Sequence, residues 1–146
     1  MDQERAILNE LLVDIFNQIL SIQERRLKDQ GVNLTMSEIH VLEAVAKTNE
    51  PSMSNIASRL RVTVGTLTTA INRLVKKGYC SRYHLEDDLR KVYVKLTQKG
   101  QVALSEHERF HADMIDAVMQ DLNVQDTPIL IEALDRLLTF FKSQYE

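Results

Sequence analysis

Apolar residues recur at helical spacing along most of the chain and switch to a strand-like pattern only once. Ile7, Leu8, Leu11, Leu12, Ile15, Phe16, Ile19, Leu20, Ile22 and Leu27 make one broad face. Residues 2–30 are therefore predicted as a single long helix, closed by Gly31. Thr35-Met-Ser-Glu38 has the form of a capping box and opens a helix to about Thr48, with Ile39, Leu42, Val45 and Ala46 inward. Asn49-Glu50-Pro51 breaks it. Ser52 can cap a short helix whose Met53, Ile56, Ala57 and Leu60 face inward. Arg61-Val62-Thr63 is a tight turn into the next helix, which carries the stripe Val64, Leu67, Ile71, Leu74 and Val75 and closes at Gly78. The pattern then changes. Tyr79–His84 and Lys91–Leu96 are rich in aromatic and β-branched residues, and the polar stretch Leu85-Glu86-Asp87-Asp88-Leu89-Arg90 connects them as a β-hairpin. Thr97 caps a further helix to about Leu122. Thr127 as cap and Pro128 at the first position start a last helix, with Ile131, Leu134, Leu137, Leu138 and Phe141 as its stripe.

Helix, short helix, turn, helix and hairpin, in that order, predict a winged helix-turn-helix in a mainly α chain with a small β-wing. The helix after Thr63 would be the recognition helix. Its outer surface presents Thr66, Thr69, Ala70 and Arg73, with Thr68 and Asn72 on the flanks. Short polar side chains suit close approach to base edges and phosphates, where long ones would hold the helix off. Arg90, near the hairpin tip, suits a narrow minor groove. The candidate DNA-binding residues are Thr63, Thr66, Thr68, Thr69, Asn72, Arg73, Lys76, Arg90 and Lys91. Two other readings stay open: a helix and hairpin also occur in α+β domains that bind no nucleic acid, and Thr66 and Thr69 can simply tolerate exposure. The division expected is a DNA-binding lobe over 35–97 flanked by dimerisation helices over 1–34 and 98–146. The flanking helices carry more apolar surface than one small lobe can cover. A second copy would cover it and would set two recognition helices about 34 Å apart for a palindromic operator on double-stranded DNA. The alternative is a monomer whose end helices cap their own core.

The chain has 146 residues, 44% hydrophobic and 27% charged, as expected of one soluble globular domain. No apolar run approaches the ~18 residues of a membrane span, and no signal peptide is evident. The lone Cys80 fits a reducing cytoplasm and reads as a small buried hydrophobe, with a redox sensor as the lesser alternative. The net charge of −3 argues against nucleic acid until it is mapped. Residues 59–99 hold ten basic and three acidic side chains, or +7, leaving −10 for the rest. The basic island coincides with the expected recognition helix and wing. His107 and His111 are four apart on one helix, a spacing that lets two imidazoles share a metal. Solvated or hydrogen-bonded surface histidines are the competing reading. An enzyme is not expected: there is no Gly-rich phosphate loop and no G-x-S-x-G, and the acidic Glu86, Asp87 and Asp88 fall on the wing.

Over essentially its whole length the chain resembles the MarR family of bacterial winged-helix regulators. The most specific local match is Asp88-Leu89-Arg90-Lys91-Val92-Tyr93-Val94-Lys95-Leu96-Thr97, with D-x-R followed by L-T, and Ser54–Leu60 resembles the first helix of the DNA-reading pair. The resemblance implies that Arg90 enters the minor groove and that Asp88 orients the wing. Val62–Asn72, Lys77-Gly78-Tyr79 and Arg109-Phe110-His111 after His107 are similar to the fatty-acid-synthesis repressors of this family, the FabT type. That likeness implies an autoregulated repressor of fatty-acid synthesis genes, with no required cofactor and a long-chain acyl group on acyl carrier protein as co-repressor. Family architecture places an apolar ligand pocket near Phe16, Leu20, His40, His107, Phe110 and His111. The zinc-responsive branch of the family implies an alternative, metal-uptake control with Glu24, His40, His107 and His111 as ligands. The chain departs from that branch in having no cysteine near Gly31 and no dense histidine tract. The same residues can instead line a passage for the carrier's phosphopantetheine arm.

Overall fold

Local capping chemistry sets most element boundaries in the computed structural model, which describes residues 2–145. Among these residues run α1 (Gln3–Asp29), α2 (Met36–Lys47), α3 (Met53–Leu60), α4 (Val64–Lys76), β1 (Cys80–Leu85), β2 (Asp88–Leu96), α5 (Gln98–Met119) and α6 (Thr127–Ser143). The Asp2 carboxylate accepts from the Arg5 backbone N–H at 2.9 Å and starts α1. Thr35 and Glu38 make the expected reciprocal box, at 3.2 and 3.1 Å. Ser52 and Thr63 accept from the N–H groups of Asn55 and Thr66 and open α3 and α4. Three helices close alike, with paired N–H donors folding back onto the last turn: α1 around Gly31, α3 around Arg61 and α4 around Gly78. The two glycines take φ 70° and 86°, and Arg61 takes φ 57°. Glycine has no Cβ to clash at such angles, whereas Arg61 does.

The core lies where α2, α3, α4 and the hairpin meet. Ile39, Leu42, Ile56, Leu67, Ile71, Leu74 and Val94 are fully buried there. The hairpin is antiparallel, with Cys80 opposite Leu96 and Tyr83 opposite Tyr93. The Val94 N–H donates to the Pro51 carbonyl at 2.9 Å and ties the hairpin to the entry of α3. Cys80 is buried, which pushes its thiol up to about 12 against the opposing charge of Arg82. At neutral pH it is a small core hydrophobe with no thiolate to react.

Several sequence expectations need correction. On α2 the inward alanine is Ala44, and Ala46 is exposed. On α4, Val64 is 46% exposed, whereas Ala70 is half-buried and packs on the core instead of lying on the outer face. The strands extend into the segment expected to be loop, so β1 and β2 are joined by Glu86 and Asp87 alone. Tyr79 precedes β1 and is buried. α5 ends at Met119, short of Leu122. Thr127 lies inside α6, where Asp126 is the cap residue and makes no side-chain cap bond.

Two compact units divide at Glu108 and Arg109, inside α5, whereas sequence patterning divides the chain at 97 and 98. The first unit contains the core. In the second, α6 buries none of its residues, and Ile129, Ile131, Leu134, Leu138, Phe140 and Phe141 are exposed. Among the described residues no helix is long and apolar enough to cross a membrane.

Candidate nucleic-acid interface

Two of the α4 threonines spend their hydroxyl protons inside the helix. Thr68 donates to the Val64 carbonyl at 2.8 Å and Thr69 to the Gly65 carbonyl at 3.3 Å. The Thr63 hydroxyl donates to the Thr66 hydroxyl at 2.9 Å while capping the helix. Thr68 and Thr69 therefore keep lone pairs and a methyl for a partner. Those groups match the amino donors of adenine or cytosine and the methyl of thymine in a major groove.

The wing is ordered by its own short contacts. The Asp88 carboxylate accepts from the Arg90 backbone N–H at 3.0 Å, and the His84 Nδ1–H donates to the Lys91 carbonyl at 3.0 Å. A register shift follows Tyr83, where β2 carries the extra residues. Arg90 and Lys91 are exposed on this bulged strand. Together with Thr68, Asn55 and Tyr93 they line a cleft of about 430 Å³ between the wing and the α3–α4 pair. On the opposite flank of α4, Thr66 and Arg73 line a groove of about 380 Å³ against α2, with Thr35, Ser37 and His40. Thr69, Asn72 and Lys76 are exposed on α4 between these elements.

The basic island is smaller than its count implies, because several cations hold the fold together. The Lys77 Nζ donates to both Glu38 oxygens, at 3.0 and 3.1 Å, and to the Asn33 carbonyl. Burial would raise the Glu38 carboxyl; the Lys77 hydrogen bond, the Thr35 N–H and the Lys77 charge outweigh it and hold the group below its ordinary 4.5. The Lys99 Nζ donates to the Lys77 carbonyl at 2.9 Å and lies 4.4 Å from the Tyr79 ring centre. Arg59 donates to the Lys47 carbonyl at the end of α2. Sequence reasoning missed Arg82 as an individual site residue. It lines the wing-side cleft, and its guanidinium donates to the Asn72 amide oxygen from ten residues away. Only its inclusion in the charge count pointed to it.

The histidines divide. His107 is buried, at 5% exposure, and so is not half of a surface pair with His111. Its ring meets that of exposed His40 edge-on, with centres 6.3 Å apart. Glu43, which sequence reasoning also missed, lies close by. The Lys47 hydrogen bond first, and then the charges of Lys47, His107 and His40, hold its carboxyl below the ordinary value against burial. Phe110 packs edge-on with His111. Phe16 and Leu20 are exposed on α1, and Glu24 is exposed on the same helix. Among the described residues no three or more His, Cys, Asp or Glu side chains are grouped to hold a metal ion.

A family model described as the MarR family matches residues 34–92. The transcriptional repressor YetL of Bacillus subtilis is 28% identical over 134 residues, covering 90% of this chain and 80% of that protein. The uncharacterized regulator YkoM of Bacillus subtilis is 30% identical over 134 residues, covering 91% and 86%. Among solved structures, Streptococcus pneumoniae FabT in complex with DNA matches with a TM-score of 0.85 and 31% identity, over 98% of this chain and 99% of that one. The S. aureus MepR–DNA complex matches with a TM-score of 0.69 at 18% identity, which concerns the fold alone.

Proposed function

The chain belongs to the MarR family, and on that premise we propose that it represses fatty-acid synthesis genes as a homodimer, with a long-chain acyl group on acyl carrier protein as co-repressor. The coarser part follows from the family: the chain is a DNA-binding transcriptional regulator and not an enzyme. The observation that carries the finer part is the likeness to FabT, at 31% identity over nearly all of both chains. In this reading α4 enters the major groove with Thr66, Thr68, Thr69, Asn72 and Arg73. Arg90 reaches the minor groove from the wing, and Thr63, Lys76 and Lys91 stand alongside. The exposed apolar faces of α1 and α6 support a second copy as their cover. The acyl chain would be received near Phe16, Leu20, His40, His107, Phe110 and His111.

The test is a titration of chelator-treated protein on its own promoter DNA, with acyl carrier protein bearing a long acyl chain in one arm and zinc in another. Tighter binding with the acyl carrier alone is the expected result. Tighter binding with zinc alone would overturn the co-repressor and direct attention to Glu24, His40, His107 and His111. Arg90→Ala should weaken operator binding by about 1–3 kcal/mol with the melting temperature unchanged. Wild-type affinity in that variant would remove the wing from the interface.

A further inference from the structure

The cleft between the wing and the α3–α4 pair carries charge of both signs. Arg82, Arg90 and Lys91 bring three positive charges to its lining, and among the described residues Glu50 brings the one negative charge. The acidic residues of the wing do not share that place. Glu86 and Asp87 form the turn, and Asp88 accepts from the Arg90 backbone N–H; none of the three lines the cleft. Glu50 is anchored through its backbone. Its carbonyl accepts from the Ser52 N–H at 2.8 Å and from the Asn55 side-chain amide at 3.0 Å, which ties it to the entry of α3. Its side chain is exposed, and among the described residues the carboxylate makes no hydrogen bond or ion pair. The same holds for the side-chain cations of Arg90 and Lys91. The attracting charges and the opposing one thus reach the cleft alike, without an internal partner.

We propose that Glu50 limits the affinity of this cleft for phosphate: a repulsive residue set among cations, it weakens binding to operator and to random duplex by the same factor. The inference rests on the proposed approach of α4 and the wing to DNA. A phosphodiester drawn to Arg82, Arg90 and Lys91 also comes near the Glu50 carboxylate. A cleft of about 430 Å³ is narrower than the roughly 10 Å Debye length at about 0.1 M salt, so ions in solution do not fully screen the repulsion. Carboxylate and phosphodiester are both acceptors near neutrality, and no direct hydrogen bond offsets it. The fold gives this carboxylate no bond to make, so its charge acts on whatever enters the cleft. Phosphate attraction is common to every sequence, whereas base contacts are added at the operator. Weakening the common part leaves the ratio between the two unchanged. It does keep random duplex unoccupied at protein concentrations where the operator fills.

The experiment titrates full-length wild type, Glu50→Gln and Lys91→Gln on operator and on random duplex over a range of salt concentrations. Both side chains are exposed, so the variants should fold, and their melting temperatures are measured alongside. Glu50→Gln should bind both duplexes about three- to tenfold tighter at about 0.1 M salt, with the operator-to-random ratio unchanged, and the gain should shrink as salt rises. Affinity equal to wild type would overturn the proposal. So would weaker binding to operator alone, which would make Glu50 a base contact, since a carboxylate accepts from the cytosine amino group. A gain that persists undiminished at high salt would overturn it as well, because the cause would then be conformational. Lys91→Gln tests the reading beneath. It should weaken binding to both duplexes; wild-type affinity in that variant would remove the cleft from the interface, and a tighter Glu50→Gln would then need another cause.

Discussion

The lobe from α2 to β2 and the outer helices are both rich in apolar side chains and dispose of them in opposite ways. In the lobe Ile39, Leu42, Ile56, Leu67, Ile71 and Leu74 are fully buried. On α1, Leu8, Leu11, Ile15 and Phe16 face solvent, Phe16 at 63% exposure. On α6, Ile129 is 67% exposed, and no residue of that helix is buried. The difference separates helix formation from helix stabilisation. α1 has an N-cap as sound as those of α2 and α4, so its ends are defined by local bonds alone. What it lacks is a surface to bury its stripe, and long uncovered stripes are found where another molecule packs.

The largest expected effect therefore comes from charging the uncovered stripe. Leu8→Asp with Ile15→Asp should raise the dimer dissociation constant more than a hundredfold. Each apolar side chain contributes about 1.5–3 kcal/mol, and a two-fold interface contains each twice. Sedimentation at several concentrations reads the change, and operator binding should fall with it. An unchanged mass would mean that these faces have another cover, and the contrast between the two regions would lose its proposed cause.

Next in size is a substitution at the seam where α5 meets the lobe. A Cβ on Gly100 would lie 2.1 Å from the Tyr79 carbonyl oxygen, backbone against backbone. The same seam has the Thr97 hydroxyl donating to the Gly78 carbonyl at 2.6 Å and the Thr97 N–H donating to the Tyr79 carbonyl at 3.0 Å. Gly100→Ala must displace the segment leaving α4, at about 1–3 kcal/mol by urea unfolding. DNA affinity should fall further than stability alone explains, because the end of α4 shifts. Stability equal to wild type would show that the seam yields easily and does not hold α4.

A smaller effect separates the lobe by pH. Glu38 ionises more readily in the folded state than in the unfolded one, so its contribution is fully present above the ordinary value of 4.5 and is lost as pH falls through the lower folded value. Glu38→Gln should lower stability near neutrality and reduce the acid-side slope of the stability curve below about 4.5. An unchanged slope would leave the Lys77–Glu38 pair without thermodynamic weight.

Features decided within four residues were legible from the chain. The Thr35–Glu38 box, the Ser52 and Thr63 caps and the Gly31 and Gly78 closures all read directly, because donor and acceptor are neighbours in sequence. The threonine-rich face of α4 was legible on the same grounds. Features decided by tertiary partners were not. Lys77 and Lys99 counted as basic surface but are engaged with Glu38 and the Lys77 carbonyl. Ala70 looked outward by helical phase and packs on the core, because α2 covers that flank. The hold of Arg82 on Asn72 crosses from strand to helix, and no periodicity encodes it. His107 read as surface because its spacing from His111 is local, while its burial depends on what packs over it.

The smallest predicted change compares three like closures. α1, α3 and α4 fold back onto their last turns by the same pair of bonds, two of them at glycine and one at Arg61. A left-handed conformation costs a residue with a Cβ about 1–2 kcal/mol. Arg61→Gly removes that strain but also loosens the unfolded chain, which takes back about 0.4–1 kcal/mol. The net expectation is a gain of about 0.5 kcal/mol, reduced by whatever contacts the Arg61 side chain makes in the folded state. Arg61 sits at the turn between α3 and α4, beside the capped end of α4. The same variant should therefore bind operator more weakly, with a salt slope shallower by about one. Greater stability with weaker, less salt-sensitive binding would mean that the arginine serves the interface at the fold's expense. Lower stability with unchanged binding would mean that its side chain outweighs the strain from within the fold, and Arg61 would then belong with Lys77 and Lys99 among the cations that hold the lobe together.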